Sequence, residues 1–141
     1  MSFRVIIAGS RYFYDYSLLC QVCDKILKNK RASGEEIIIV SGHCHGADVL
    51  GERYAKERKY ACEIYPARWA ERGKKAGPER NKLMASKADA LIAFYNGRST
   101  GTGGMIEIAR QEAAERAKIG GNRAFSIRVV MYEEPGTPIY T

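Results

Sequence analysis

The stretch FRVIIAGSR, residues 3–11, decides the fold class of this chain. Phe3 to Ala8 form a largely apolar run of strand length, and Gly9-Ser10 ends it. A second run, Glu36 to Val40, leads in the same way into Ser41-Gly42. Strands that are continuously apolar are typical of a parallel sheet whose two faces are both covered by helices.

Helices are predicted between these strands. Asp15 or Ser17 is suited to cap the first helix. Two apolar stripes at helical spacing follow, made of Leu19, Val22, Cys23, Ile26 and Leu27, and of Ala47, Leu50, Gly51, Tyr54 and Ala55. Further strands are predicted at 62–65, 88–94 and 126–131, further helices at 78–86 and 105–118, and a loop at 68–78. We therefore expect an α/β fold that is Rossmann-like and doubly wound, with a mainly parallel sheet of five or slightly more strands and helices on both faces.

Length and composition indicate one globular domain. The chain has 141 residues, 45% of them hydrophobic and 28% charged, so we expect a single domain over 1–141 with an irregular tail at 133–141. No leader precedes the first strand, and no apolar run approaches the roughly 20 residues that span a bilayer, which predicts a cytoplasmic protein without membrane contact. The four cysteines are expected to be free thiols: Cys20, Cys23, Cys44 and Cys62.

Three loops rich in glycine and small polar residues follow predicted strands. They contain Gly9, Ser10, Arg11 and Tyr12; Ser41, Gly42, Gly46, Ala47 and Asp48; and Ser99, Thr100, Gly101 and Thr102. Loops at the carboxyl ends of parallel strands share one edge of the sheet, where ligands bind. Glycine lets a phosphate approach the N–H groups of a helix N-terminus, while hydroxyls and Arg11 add donors. The alternative, that these glycines only form tight turns, explains one loop better than three. The spacing is that of neither the dinucleotide fingerprint nor the P-loop.

Net charge favours an anionic partner. The chain carries +7, with a cluster between residues 68 and 82 made of Arg68, Arg72, Lys74, Lys75, Arg80 and Lys82. Such charge suits either a nucleic acid or a small phosphate ester. Trp69 is the one aromatic residue interleaved with the cluster, so nucleic-acid binding is the weaker interpretation. Trp69 and Tyr12 are candidates either for stacking on a base or for packing as a lid. Asp48, Arg80 and Asn81 are candidates either for ligand contact or for ordinary capping and surface roles.

These motifs resemble the SLOG superfamily, which joins the Lonely Guy phosphoribohydrolases, the DprA DNA-processing proteins and the YspA/YpsA-like groups. The YspA-like branch is the most similar, from residue 3 to about residue 131. The matching residues are Gly9-Ser10-Arg11; Ser41-Gly42 with Gly46-Ala47-Asp48; Pro66-Ala67 with Trp69; Gly73-Lys74; Ala76-Gly77-Pro78; Arg80-Asn81; Met84; and Ser99 with Gly101-Thr102. The resemblance implies a Rossmann-like fold, a nucleotide-derived ligand and a dimer formed through the helices. We expect a homodimer or higher homo-oligomer and no cofactor.

The resemblance also bears on catalysis. Lonely Guy enzymes use an arginine, which Arg80 matches, and a glutamate, at whose position this chain has Met105. Glu107 is two residues further on, about 200° around a helix from Met105. The leading hypothesis is therefore nucleotide binding for sensing or sequestration. The alternatives are N-glycosidic hydrolysis, with Arg80 and either Glu107 or Asp48 as catalytic residues, and DprA-like DNA binding.

A metal site is the fourth hypothesis. Cys20 and Cys23 together with His43-Cys44-His45 supply ligand types that zinc accepts. Cys23 lies on the apolar stripe of the first helix, which instead favours a buried free thiol. His45 stands where the family pattern has an arginine, so phosphate binding is expected to be weaker or pH-dependent.

Overall fold

The computed structural model describes residues 1–121 and 123–133, so the predicted tail lies almost entirely outside the described residues. The strands are β1 (Ser2–Gly9), β2 (Glu36–Ser41), β3 (Ala61–Ile64), β4 (Ala90–Tyr95) and β5 (Ser126–Met131). All neighbours pair in parallel, in the order β3-β2-β1-β4-β5. The helices are α1 (Tyr16–Ala32), α2 (Ala47–Arg58), α3 (Trp69–Arg72), α4 (Ala76–Lys87) and α5 (Thr100–Ile119). The predicted doubly wound α/β fold is confirmed.

Two hydrophobic layers cover the sheet, one on each face. Successive residues of β1 divide between them: Ile7 packs with Leu19 of α1 and Tyr54 of α2, and Ile6 packs with Met84 of α4. The central strands are buried because helices lie on both of their faces. The edge strands β3 and β5 have many exposed positions, so the expectation of buried strands holds for the central parts of β1, β2 and β4 but not for the two edge strands.

Two predicted boundaries were wrong. The segment 68–78, expected to be a loop, holds α3, a 3₁₀ turn at Gly73–Lys75 and the start of α4. Pro78 is the third residue of α4. Proline is tolerated there because the first N–H groups of a helix have no acceptor within the helix, so no hydrogen bond is lost. Helix α5 begins at Thr100, five residues earlier than predicted, because Ser99 caps it by accepting the N–H of Thr102 at 3.4 Å. In α1, by contrast, the predicted cap Asp15 does accept the N–H of Leu18.

The loops that follow β1 and β2 pack directly on each other. The N–H of Ala47, the first residue of α2, donates to the carbonyl oxygen of Ser10 at 3.3 Å. Gly46 has φ +83°, and a Cβ there would lie 2.2 Å from the same carbonyl oxygen. Only glycine therefore fits at position 46, and the reason is the packing of the chain on itself.

Asp48 is buried beside this contact and is 6% exposed. Its Oδ2 accepts the N–H of Cys44 at 3.3 Å. Burial raises the pKa of the Asp48 carboxyl from 3.8 to about 6, against the opposing influence of the Cys44 and Gly9 N–H groups and of the Arg80 charge. Asp48 thus links the two loops, and its contribution to the free energy of unfolding depends on whether its carboxyl group is ionised.

No helix among the described residues combines the length and the apolar character that a membrane crossing requires.

Replacing Gly46 by alanine should destabilise the protein by at least about 3 kcal/mol, because the positive φ and the Ser10 carbonyl both exclude a Cβ. Gly104 is the matched control, since a Cβ there meets nothing within 4 Å and it lies inside α5. Gly104→Ala should stabilise by about 0.5–1 kcal/mol. Urea unfolding measures both variants, and equal stabilities would contradict the packing argument.

Replacing Asp48 by asparagine should change how stability depends on pH. The folded protein holds a proton on Asp48 more readily than the unfolded chain does, so its contribution to stability is full below pH 3.8 and is lost as the pH rises through about 6. The free energy of unfolding of Asp48→Asn relative to the parent should therefore rise by roughly 3 kcal/mol between pH 3.5 and pH 7.5. Denaturant titrations across this range measure it. The exposed Gln111→Ala control removes no titratable group and should give a flat difference, and a flat difference for Asp48→Asn would refute the prediction.

Candidate functional site

The strand order places a crevice at one edge of the sheet. β1 lies between β2 and β4, and the chain leaves β1 and β4 on opposite sides, which is where ligands bind in open α/β sheets. The carboxyl ends of β2 and β4 are two strand spacings apart, about 10 Å. The three glycine-rich segments singled out in the sequence all lie at this edge.

The start of α5 differs from the start of every other α-helix in the described residues. Asp15 caps α1, and acidic residues occupy the first turns of α2, α3 and α4, at Asp48, Glu71 and Glu79 respectively. Such carboxylates compensate the positive end of a helix dipole. α5 has 20 residues, an uncharged cap at Ser99 and no acidic residue in its first turn. Among the described α-helices, α5 is therefore the one whose positive end has no carboxylate in its cap or first turn.

The backbone at the start of α5 is also open. Asn96 Oδ1 accepts the N–H groups of Arg98 and Ser99, both at 2.8 Å, and holds the approach to the helix. Gly101 is exposed, and a Cβ there would meet nothing within 4 Å. The first N–H groups of a helix have no acceptor within it. In the described part of the chain, the N–H groups of Thr100 and Gly101 therefore have no acceptor within the helix and belong to exposed residues.

Three of the hydroxyl side chains named as candidate ligand contacts are buried and hydrogen-bonded within the protein. Ser10 is 2% exposed, and its Oγ accepts the N–H of Tyr12 at 3.2 Å. Ser41 is fully buried and donates to Glu52 Oε2 at 2.7 Å. Thr102 is buried as well, with its Oγ1 3.1 Å from Ser99 Oγ. These side chains shape the edge of the sheet from beneath its surface.

Arg80 lies over the carboxyl end of β2. Its Nη1 donates to the carbonyl oxygen of Gly42 at 2.7 Å, and its Nε donates to Asn81 Oδ1 at 2.9 Å. A Cβ at Gly42 would lie 2.6 Å from Arg80 Nη1 and 2.9 Å from Asp48 Oδ2. The absence of a side chain at position 42 lets the guanidinium and the buried carboxylate approach the same stretch of backbone.

Two contacts in this region were not predicted from the sequence. His43 has φ +61°, and its Nδ1 lies 2.8 Å from Glu52 Oε2, the oxygen that also accepts the Ser41 hydroxyl. The carbonyl of Tyr65 accepts a second, longer bond from Arg80 Nη1 at 3.4 Å. Glu52 follows Asp48 by four residues in α2, and this spacing was the available signal that both face the β2 loop.

The cysteines and histidines of the metal hypothesis are not brought together. No group of three or more His, Cys, Asp or Glu residues in 1–121 and 123–133 has the geometry to hold a metal ion. Cys23 is fully buried in the core with α1, and burial raises the pKa of its thiol. Cys44 lies instead beside Arg80, with its Sγ 3.8 Å from Nη2.

Of the remaining candidates, Tyr12, Trp69 and Glu107 lie at the surface. Tyr12 is 57% exposed next to the exposed Arg11. Trp69 is 56% exposed and covers Gly77 of α4, where a Cβ would lie 3.1 Å from its ring. Met105 is 2% exposed and belongs to the core under α5. Glu107 is exposed and lies on the other side of the same helix, away from the sheet.

Comparison with known proteins finds one family model and one solved structure to which the chain is similar. Residues 3–71 match the model of the family described as YAcAr, the YspA, cpYpsA-related SLOG family. Among solved structures, the chain is similar to DNA processing protein A (DprA) from Streptococcus pneumoniae, with 20% sequence identity and a TM-score of 0.57. The match covers 79% of this chain and 48% of that one, so this chain spans about half the length of its structural relative. No curated protein matches the chain. Over residues 3–71 the chain is therefore similar to the YspA-like branch of the SLOG superfamily, and the structural match shows that it shares the α/β fold of DprA.

Proposed function

We propose that this protein binds a nucleotide-type ligand by its phosphates, at the start of α5 and beside Arg80, and that it senses or sequesters this ligand. The observation that carries the proposal is the start of α5, the one α-helix start in the described residues without a carboxylate. Exposed backbone N–H groups and an uncompensated helix dipole together make an anion site.

The glycines of α5 support the same proposal. Gly101 and Gly104 lie in the first turns of a helix, where each costs up to about 1 kcal/mol relative to alanine. Neither is required by a neighbouring group, since a Cβ at either position would meet nothing within 4 Å. Their cost is explained if a ligand lies against the helix and leaves no room for a side chain.

Binding without N-glycosidic hydrolysis fits the disposition of the carboxylates. Glycosidic cleavage commonly uses carboxyl groups on both sides of the scissile bond. In the described residues, Met105 fills the core and Glu107 faces outward from α5, while Asp48 is buried. Arg80 remains as a ligand for phosphate rather than as half of a catalytic pair.

DNA binding is the second candidate, favoured by the net charge of +7 and by the fold shared with a protein named for DNA processing. Within the basic cluster, however, Arg72 pairs with Glu79 at 2.9 Å and Arg68 with Glu71 at 3.8 Å. These pairs reduce the charge available to a phosphate backbone. Mobility-shift titration with single-stranded DNA at low salt distinguishes the two candidates: the small-ligand proposal expects no shift.

Gly101→Ala should weaken binding of inorganic pyrophosphate and of nucleoside diphosphates about tenfold or more, because the added Cβ occupies the approach to the first-turn N–H groups. Thermal stability should be unchanged or slightly raised, since the alanine meets no protein atom. Isothermal calorimetry measures the affinity and a melting curve measures the stability.

The matched control is Gln111→Ala, an exposed position further along α5, which should leave affinity unaltered. If the parent protein binds neither pyrophosphate nor any nucleotide, or if Gly101→Ala binds as the parent does, the proposed site is wrong.

A further inference from the structure

A cavity of about 670 Å³ opens beside Arg80, between the carboxyl end of β3 and helices α3 and α4. Ile64 and the segment 65–67 form one wall, and Leu83 of α4 forms another. Arg80 also lines it, while its Nη1 holds the carbonyl of Gly42 at the edge of the crevice. The guanidinium is therefore a wall common to the cavity and to the proposed phosphate site.

The charges around the cavity are balanced. Arg72 and Glu79 both line it and pair with each other at 2.9 Å. Arg68 and Glu71, which also line it, lie 3.8 Å apart. A second phosphate would therefore find no excess positive charge here beyond Arg80. An uncharged, partly apolar group fits this cavity better than an anion does.

The apolar part of the lining is open to such a group. Ile64 and Leu83, two large aliphatic side chains that line this cavity, are 48% and 47% exposed. The inner wall is fixed, because the hydroxyl of Tyr65 donates to Glu63 and Glu63 pairs with Arg4 at 3.0 Å. The volume of the cavity falls within the range of roughly 300–1,000 Å³ that small-molecule sites occupy.

We propose that this cavity receives the nucleobase and ribose of the ligand, whose phosphates continue past Arg80 to the start of α5. This inference rests on the proposed function and specifies the class of ligand. The carboxyl ends of β3 and β4 are three strand spacings apart, about 14 Å. A single phosphate on a nucleoside is too short to reach across this distance, whereas a diphosphate extends further. The ligand class is therefore a nucleoside diphosphate or an ester of one.

The test fills the cavity and compares two probes. Ala67 lines the cavity, and Ala70, three residues along in α3, does not. Ala67→Trp should weaken binding of the tightest of the four common ribonucleoside diphosphates about tenfold or more, because the indole occupies the place of the base. Binding of inorganic pyrophosphate should stay unchanged, since its site at α5 is untouched. Ala70→Trp should leave both affinities as in the parent protein.

Leu83→Trp fills the cavity from the exposed side of α4 and provides a second variant that does not disturb the 65–67 segment. It should give the same selective loss of nucleotide affinity. The inference is overturned if the parent binds pyrophosphate as tightly as every nucleoside diphosphate, or if both cavity-filling variants keep the parent's nucleotide affinity. In those cases the anion site of the proposed function still stands. Absence of pyrophosphate binding in the parent would instead contradict the proposed function itself.

Discussion

The packing of Gly46 against the carbonyl oxygen of Ser10 is the constraint on which the rest of the site depends. This contact brings the N-terminus of α2 onto the loop after β1, where the Ala47 N–H donates to the same oxygen. Asp48 is buried as a consequence, and the loop between Gly42 and Gly46 must fold over it. The backbone of Gly42 is then presented to Arg80, which reaches it from α4 on the opposite face of the sheet. The backbone contact between Gly46 and Ser10 thus positions groups from the loop after β1, from α2 and from α4.

The same contact shows why the sequence alone could not distinguish a glycine required by packing from a glycine that leaves room for a ligand. Gly46 and Gly101 both precede or open a helix at the same edge of the sheet, and both suggested phosphate binding. In the structure, Gly46 is required because the chain packs on itself, whereas Gly101 faces open space. A sequence shows that a position lacks a side chain, but the neighbour that excludes the side chain belongs to a distant segment. For Gly46 that neighbour is 36 residues earlier, at Ser10.

The architecture itself was accessible from the sequence, because buried strands and helical stripes are local patterns. The start of α5 was not predicted, since the five glycines and threonines that precede Met105 in this helix have weak helical preference and the Ser99 cap carried little weight beside them. The hydrogen-bond partners of the side chains were even harder to predict from the sequence. Arg80 was singled out, but its acceptors at Gly42 and Tyr65 are 38 and 15 residues away. For Glu52 the signal was its four-residue spacing from Asp48, which is weak because a glutamate on a helix usually faces solvent.

Carboxylates determine which helix starts of this basic protein keep an uncompensated positive end. A net charge of +7 draws anions to the whole surface, but it does not select a place. Asp15, Asp48, Glu71 and Glu79 close the starts of four helices, while Glu71 and Glu79 also balance Arg68 and Arg72. Asp48 in addition offsets part of the charge that Arg80 brings to the crevice. The start of α5 remains uncompensated, and next to Arg80 lies a cavity that is nearly neutral. This distribution suits a ligand with a charged end and an uncharged end better than it suits a uniformly charged polymer.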